Sequence, residues 1–148
     1  MSDEQVTEHF RSIEFACKSG HLYPHGWLKS RLLPLCQTLE TLRAAIGRPI
    51  VVISGYRDST YNEELRRKAK LKGKSGPAKL SQHIEGRAAD IRVAGMSTGL
   101  LHAKVLELYG QGALPHLGGL GEYASWVHID VRPKKPDGSL ARWSGAGD

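Results

Sequence analysis

Hydrophobic residues recur at helical spacing along the first third of the chain. Four of them follow one another at intervals of four, three and four residues: Val6, Phe10, Ile13 and Cys17. Five leucines continue this rhythm: Leu28, Leu32, Leu35, Leu39 and Leu42. Spacing of this kind places side chains on one face of a helix. We therefore predict one helix over residues 4–17 and a second from Leu28, which kinks or restarts at Pro34 and stops at Gly47.

The rest of the chain alternates short apolar runs with polar, glycine-rich stretches. Three runs predict β-strands, of which the first reads as buried: residues 49–54, 88–93 and 125–132. Thr60 and Glu63 have the spacing of a capping box, which predicts a helix starting near Ser59, and Ser97 is the predicted cap of a third helix ending at Gly110. The lysine-rich residues 71–80, the stretch GGLGEY and the tail after Arg132 are predicted to be loops or turns. Helices come first and strands cluster later, so we predict an α+β fold in a single domain over residues 1–148.

The amino-acid composition excludes only a few classes of protein function. The net charge of +6 and a pI near 9.5 favour anionic partners, such as nucleic acid or the polymer of a bacterial cell wall. No apolar run approaches the roughly 20 residues that span a bilayer, and the polar N-terminus lacks the pattern of a secretory signal. We expect cytoplasmic synthesis, with the chain staying there, leaving by another route or lacking a leader. Cys17 and Cys36 are expected to be small buried residues rather than a disulfide framework.

Two polar patterns carry candidate chemistry. In VHID, His128 and Asp130 are two residues apart, so their side chains leave one face of the predicted strand while the neighbouring valines and isoleucine face the core. In SQHIEGRAAD, Gly86 permits a turn between His83 and Asp90. Two histidines and one carboxylate suit a zinc ion that keeps one position open. We therefore predict zinc ligands at His83, Asp90 and His128.

These motifs resemble a known family. SQHIEGRAAD matches the pattern Ser-x-His-x-x-Gly-x-Ala-x-Asp of zinc D-alanyl-D-alanine carboxypeptidases and related peptidoglycan peptidases, VHID matches their later His-x-Asp strand, and SGYRDSTYN is similar to their upstream Ser-Gly-Tyr-Arg segment. The resemblance covers residues 10–143. It implies the fold of the hedgehog signalling domain, a small antiparallel sheet backed by helices with zinc on its open face. It also implies the same three zinc ligands and a substrate-binding role for Arg57, to which we add Ser81.

The chain departs from the family pattern at one position. Several members carry an acidic catalytic base three residues before the last zinc histidine, where this chain has Ser125. Two nearby carboxylates could replace it, Asp130 and Glu122. Asp130 shares a face with His128 and is preferred, although it could instead orient that histidine.

The expected function is zinc-dependent hydrolysis of amide bonds in bacterial cell-wall peptides, by a carboxypeptidase or an endopeptidase. Zinc and Arg57 would offset charge on the tetrahedral oxygen while a carboxylate moves the proton. The alternative is an inactive zinc-containing module that binds peptidoglycan. Nucleic-acid binding through residues 68–79 ranks lower, because that basic segment has no aromatic residue to stack on bases. We expect a monomer, and delivery by a phage lysis system would explain an absent leader. Trp126 and Trp143 are expected to be packing residues.

Overall fold

The structure is a computed structural model that describes residues 3–145. The predicted domain range of 1–148 therefore extends beyond the described residues at both ends. The helical segments are two 3-10 helices (Ser12–Phe15 and His25–Trp27), a π-helical turn (Leu28–Leu32), α1 (Leu33–Ile46), α2 (Ser59–Leu71) and α3 (Thr98–Gly110). The strands are β1 (Gln5–Thr7), β2 (Phe10–Arg11), β3 (Val51–Ser54), β4 (Ala88–Arg92), β5 (Gly119–Glu122), β6 (Val127–Asp130) and β7 (Ala141–Ser144).

A five-stranded sheet in the order β3-β4-β6-β5-β7 organises the fold. All neighbours are antiparallel except β5 and β7, which run parallel. One face of the sheet carries core residues of the three central strands: Ala89, Ile91, Leu120, Val127 and Ile129. Helix α3 packs on β5 and β6, and α1 packs on α3. Leu35, Leu39 and Leu42 of α1 are buried in the same core, which leaves the opposite face of the sheet for polar side chains.

The predicted helix over residues 4–17 is wrong. The chain instead forms the β1–β2 hairpin followed by a 3-10 helix. The reason lies in the short polar side chains, which take backbone hydrogen bonds away from a helix. The Glu4 N–H donates to Ser12 Oγ at 2.8 Å, and the Ile13 N–H donates to an Asp3 carboxylate oxygen at 3.1 Å. Ile13, which the helical spacing placed on the buried face, is 48% exposed.

The other predicted helices are confirmed, with adjusted starts. The leucine-rich segment begins as a π-helical turn and becomes a regular α-helix at α1. Pro34 lies in the first turn of α1, where its missing backbone N–H costs no hydrogen bond of the helix. Gly47 closes α1 in the left-handed conformation with φ of 74°. Helix α2 is capped by Asp58 rather than by Thr60, and α3 begins after the predicted cap Ser97.

Two strands were predicted to be turn or loop. GGLGEY contains β5, and β7 lies in the tail and pairs with β5. Glycines in β5 provide space, because a Cβ at Gly121 would lie 2.5 Å from Trp143 Nε1. Strand β3 was predicted to be buried but forms an edge of the sheet, where Val51 is 43% exposed. None of the helices in residues 3–145 has the length and apolar character needed to cross a membrane.

Candidate metal centre

Strand pairing brings two of the predicted zinc ligands together. Asp90 of β4 lies directly opposite His128 of β6 in an antiparallel ladder, so both side chains leave the face of the sheet that the helices do not cover. His83 comes from the turn just before β4. That turn depends on Gly86, which has φ of 69° and whose Cβ would lie 2.7 Å from the Trp27 ring.

The three ligand atoms converge at one point. His83 Nε2 lies 3.3 Å from Asp90 Oδ1, and His128 Nδ1 lies 3.2 Å from the same oxygen. All three atoms lie within 4.8 Å of one another, and no other such group of three is found within residues 3–145. The side chains are almost completely buried, at 0%, 3% and 3% exposure for His83, Asp90 and His128. The structure thus assembles the set of residues that the motifs predicted.

Each histidine is oriented by a partner on its outer nitrogen. His83 Nδ1 lies 2.7 Å from the Gly55 carbonyl oxygen, which can only accept, so Nδ1 donates and the lone pair lies on Nε2. His128 Nε2 lies 2.8 Å from Asp130 Oδ2 and donates to it, which leaves the lone pair on Nδ1. Both lone pairs therefore belong to the nitrogens that face Asp90.

This donor set fits a divalent transition metal. Ligands about 2.0–2.1 Å from a tetrahedral zinc ion are separated by about 3.3–3.5 Å. The two measured separations from Asp90 Oδ1, at 3.3 and 3.2 Å, match that spacing. Hydrogen bonds that the outer ring nitrogens donate to a carbonyl and a carboxylate are the usual supports of histidines that bind zinc. The donor set and its outer hydrogen-bond partners therefore suit a zinc ion.

Asp130 is committed to neighbours on both carboxylate oxygens. Arg132 donates to Oδ1 through Nε at 2.8 Å and to Oδ2 through NH2 at 2.6 Å. Burial opposes ionisation, but the hydrogen bonds from Arg132 and His128 outweigh it and hold the pKa of Asp130 well below its usual range. The carboxylate lies behind His128, in the position of an orienting partner rather than facing a substrate.

Glu122 lies away from the metal centre. It is opposite Val127 in the β5–β6 ladder, and therefore on the face that α3 covers. Its carboxylate is 3.7 Å from His102 of α3. A side chain on this face cannot reach a group beside His128, so the prediction of Glu122 as a catalytic carboxylate is corrected. Ser125 is exposed in the turn between β5 and β6.

Arg57 and Ser81 both border the centre. Arg57 is 4% exposed, its NH2 group lies 3.3 Å from Asp90 Oδ2, and its Nε donates to Ser54 Oγ at 3.3 Å. Ser81 Oγ accepts the backbone N–H of His83 at 3.1 Å, which holds the turn that presents this histidine. Arg57 is thus beside the ligand Asp90, and Ser81 is beside the ligand His83.

Two cavities flank the centre. The first, of about 320 Å³, is bounded by α2, residues 74–77 and the sheet, with Ser54, Arg57, Asp90 and Trp126 in its lining. The second, of about 380 Å³, has Ser81, Gln82, Tyr123, His128, Arg132 and Trp143 in its lining. Gly76 lines both. Each cavity therefore reaches one of the candidate metal ligands, Asp90 in the first and His128 in the second.

The sequence interpretation missed the role of Trp143. Its ring centroid is 5.0 Å from that of His128, its Nε1 donates to Tyr123 Oη at 2.6 Å, and the Arg132 guanidinium lies 4.9 Å above the ring. Trp143 therefore lines the candidate metal centre beside His128, in addition to packing against its neighbours. The alternating glycines of β5 were the available signal, since Gly121 provides the space for this ring.

The chain belongs to the Peptidase M15 family, whose profile matches residues 8–130. The resemblance drawn from the motifs is confirmed, as is the α+β fold.

The chain is 31% identical over 105 residues to peptidoglycan L,D-endopeptidase MepK of Escherichia coli K12, across 68% of this chain and 51% of that protein. It is 33% identical over 86 residues to the probable peptidoglycan L,D-endopeptidase MepK of Haemophilus influenzae, across 57% of this chain and 40% of that protein. The chain spans about half the length of the curated relatives it matches. No solved structure gave a significant match.

Proposed function

We propose that this chain is a zinc-dependent peptidase that hydrolyses amide bonds in bacterial cell-wall peptides. The observation that carries the proposal is the convergence of His83, Asp90 and His128 within 4.8 Å, beside two cavities of about 320 and 380 Å³. The names of the relatives support peptidoglycan as the substrate and favour an endopeptidase over the D,D-carboxypeptidase that the motifs first suggested. A net charge of +6 suits an anionic wall polymer.

Zinc and the residues around it have separate roles in the proposed reaction. Zinc, when bound, supplies Lewis acidity toward the amide carbonyl and toward water. Arg57 borders the first cavity with a guanidinium whose fork can bind a carbonyl or a carboxylate of the substrate. Asp130 holds the ring and the tautomer of His128, so we assign it a positioning role instead of the catalytic base.

One observation favours a second candidate function. Among the described residues, Asp90 is the only carboxylate that lines either cavity, and Ser125 takes the place of the acid found in related enzymes. A zinc-containing domain that binds peptidoglycan without cleaving it would need no further carboxylate. This candidate shares the metal site and the two cavities with the peptidase and differs only in turnover.

Incubation of the zinc-loaded protein with purified peptidoglycan separates the two candidates. A peptidase releases new amine termini, and this release stops with a chelator and returns with zinc. New amines on crosslinked fragments indicate an endopeptidase, and free terminal D-alanine indicates a carboxypeptidase. Zinc uptake and binding to peptidoglycan without new amines would establish the module, and absence of zinc uptake would remove both candidates.

A further inference from the structure

Arg132 uses only part of its hydrogen-bonding capacity on Asp130. Its backbone N–H, Nε and Nη2 all donate to that carboxylate, at 3.1, 2.8 and 2.6 Å. A guanidinium carries five N–H donors, and two of them belong to Nη1. Nη1 donates to no residue within the described range 3–145. The contact that holds Asp130 behind His128 therefore leaves one nitrogen of Arg132 without an assigned role.

This nitrogen is accessible to solvent, in a residue that lines the second cavity. Fully buried side-chain atoms without a partner occur, within residues 3–145, in four other residues: Thr7, Arg66, Gln82 and Trp126. Nη1 also lacks a partner but is absent from that group, so it is not buried. The Arg132 side chain is 28% exposed and that of Asp130 is 0% exposed. Only the positive member of the ion pair can therefore be reached from the cavity.

Two sets of contacts fix the guanidinium beside the candidate metal centre. Asp130 accepts two of its nitrogens, and its Cζ lies 4.9 Å from the centroid of the Trp143 ring. The same ring is 5.0 Å from that of His128, which also lines the second cavity. A donor that is already held in one geometry loses little conformational freedom when it binds a ligand.

The charges of the two cavities differ. None of the described residues that line the second cavity is an aspartate or a glutamate, and Arg132 is the only one with a formal charge when histidine is neutral. The first cavity contains a carboxylate, Asp90, together with Arg57 and Lys74. A guanidinium facing a cavity without a carboxylate favours an anionic ligand, and its planar donors suit the planar oxygens of a carboxylate.

We propose that Arg132 binds a carboxylate of the substrate in the second cavity through Nη1, while Nε and Nη2 continue to hold Asp130. The inference rests on the proposed function and assigns the second cavity to an acidic group of the cell-wall peptide. A peptide supplies such a group at its C-terminus or on an acidic side chain. Arg132 is then both a positioning residue for His128, through Asp130, and a determinant of specificity for acidic peptides.

Amidation of the substrate tests the proposal. Peptidoglycan fragments are compared in two forms, one with free carboxylates and one with the same carboxylates converted to primary amides. We expect wild type to prefer the acidic form by roughly tenfold to a hundredfold in kcat/KM, mainly through KM, and Arg132→Gln to lose most of this preference. Each preference compares two substrates of one protein at saturating zinc, so a change in zinc affinity caused by a loosened Asp130 cancels.

Arg142→Gln is the matched control. It removes the same charge from an exposed residue of β7 that lines neither cavity, so it should keep the preference of wild type. Equal hydrolysis of both forms by wild type would overturn the inference. A preference in Arg132→Gln within twofold of that in wild type would also overturn it and would leave Arg132 with the positioning role alone.

A crystal structure of the zinc-loaded wild type with the acidic fragment covers the case in which Arg132→Gln fails to fold. We expect a carboxylate oxygen at hydrogen-bond distance from Arg132 Nη1, and a bound fragment with no carboxylate there contradicts the inference. If the wild type hydrolyses neither form, the proposed hydrolysis fails. The ratio of the Kd values for the two forms, measured on wild type and Arg132→Gln, then decides the inference by the same criteria.

Discussion

Two aspartate–arginine pairs flank the metal centre, and they differ in geometry. Arg57 Nη2 lies 3.3 Å from Asp90 Oδ2, while Asp90 Oδ1 faces the two histidines. Arg132 grips Asp130 with two nitrogens, at 2.8 and 2.6 Å. The first pair joins residues 33 positions apart, and the second joins residues two positions apart.

The difference separates Asp90, a candidate metal ligand, from Asp130, to which we assign a positioning role. A carboxylate that keeps one oxygen for a metal can give an arginine only the other oxygen. The Asp130 carboxylate accepts from His128, from two nitrogens of the Arg132 guanidinium and from the Arg132 backbone N–H at 3.1 Å, which together occupy its four lone-pair sites. An aspartate–arginine pair can therefore either leave one carboxylate oxygen free for a metal or occupy both oxygens. The geometry with which the arginine contacts the carboxylate decides between these two roles.

Asp90→Asn should have the largest effect. It replaces the anionic ligand with a neutral amide while the neighbouring side chains keep their shape. We expect zinc affinity to fall by more than the roughly 10–100-fold that loss of an outer partner costs, and hydrolysis to become undetectable. Competition with a chromophoric chelator measures the affinity. Asp137→Asn, in an exposed loop, is the matched control, and wild-type zinc affinity in Asp90→Asn would exclude Asp90 as a ligand.

Asp130→Asn should weaken zinc binding by roughly 10–100-fold, because the amide no longer fixes the tautomer of His128 as a carboxylate does. The same competition assay measures this loss beside that of Asp90→Asn, and hydrolysis at saturating zinc should largely recover. The opposite pattern, with unchanged zinc affinity and abolished hydrolysis, would make Asp130 the catalytic base and remove the distinction between the two pairs.

The candidate metal ligands could be proposed from the sequence because most of their signals are local. Strand alternation places His128 and Asp130 on one face, and the glycine turn between His83 and Asp90 is visible in ten residues of sequence. The pairing of β4 with β6 then completes the site. Of these steps, only this pairing requires a contact between distant parts of the chain.

Other parts of the site depend on pairing that a single sequence does not reveal. Trp143 reaches His128 because β7 pairs in parallel with β5, opposite Gly121. Glu122 was assigned to a turn, so its face was unknown. Once Gly121 is placed opposite His128, alternation puts Glu122 on the helix-covered face. The N-terminal hairpin was hidden because its apolar residues happen to recur at helical spacing.

Arg57→Lys should have an intermediate effect, and it should lower kcat/KM more than it lowers zinc affinity. Lysine keeps the positive charge near Asp90 but loses the planar fork that binds a carbonyl or carboxylate. We expect kcat/KM to fall by roughly tenfold to a hundredfold, with zinc affinity changed by only a few-fold. Arg67→Lys, in an exposed pair with Glu64 on α2, is the control. A matching loss of zinc affinity would show that Arg57 acts through Asp90 instead of through the substrate.

The smallest effect should come from Asp58, a carboxylate next to Arg57 in sequence that takes no part in either pair. Its oxygen accepts the Tyr61 N–H at 2.7 Å and caps α2, so Asp58→Ala should cost about 1 kcal/mol of stability with little change in zinc affinity.

The hydrogen bond from Tyr61, followed by those from Ser19 and His21, lowers the pKa of Asp58 below 3.8. A folded-state pKa below the unfolded value means that the contribution of the charge is present above about pH 4 and is lost as the pH falls through the folded pKa. Urea unfolding at neutral pH and near pH 3 should show the gap between wild type and Asp58→Ala narrowing in acid. Asp58→Asn retains a capping oxygen without the charge, so at neutral pH it should lie between wild type and Asp58→Ala, and it should lack this acid dependence. A gap that stays constant with pH would mean that the cap stabilises α2 through geometry alone.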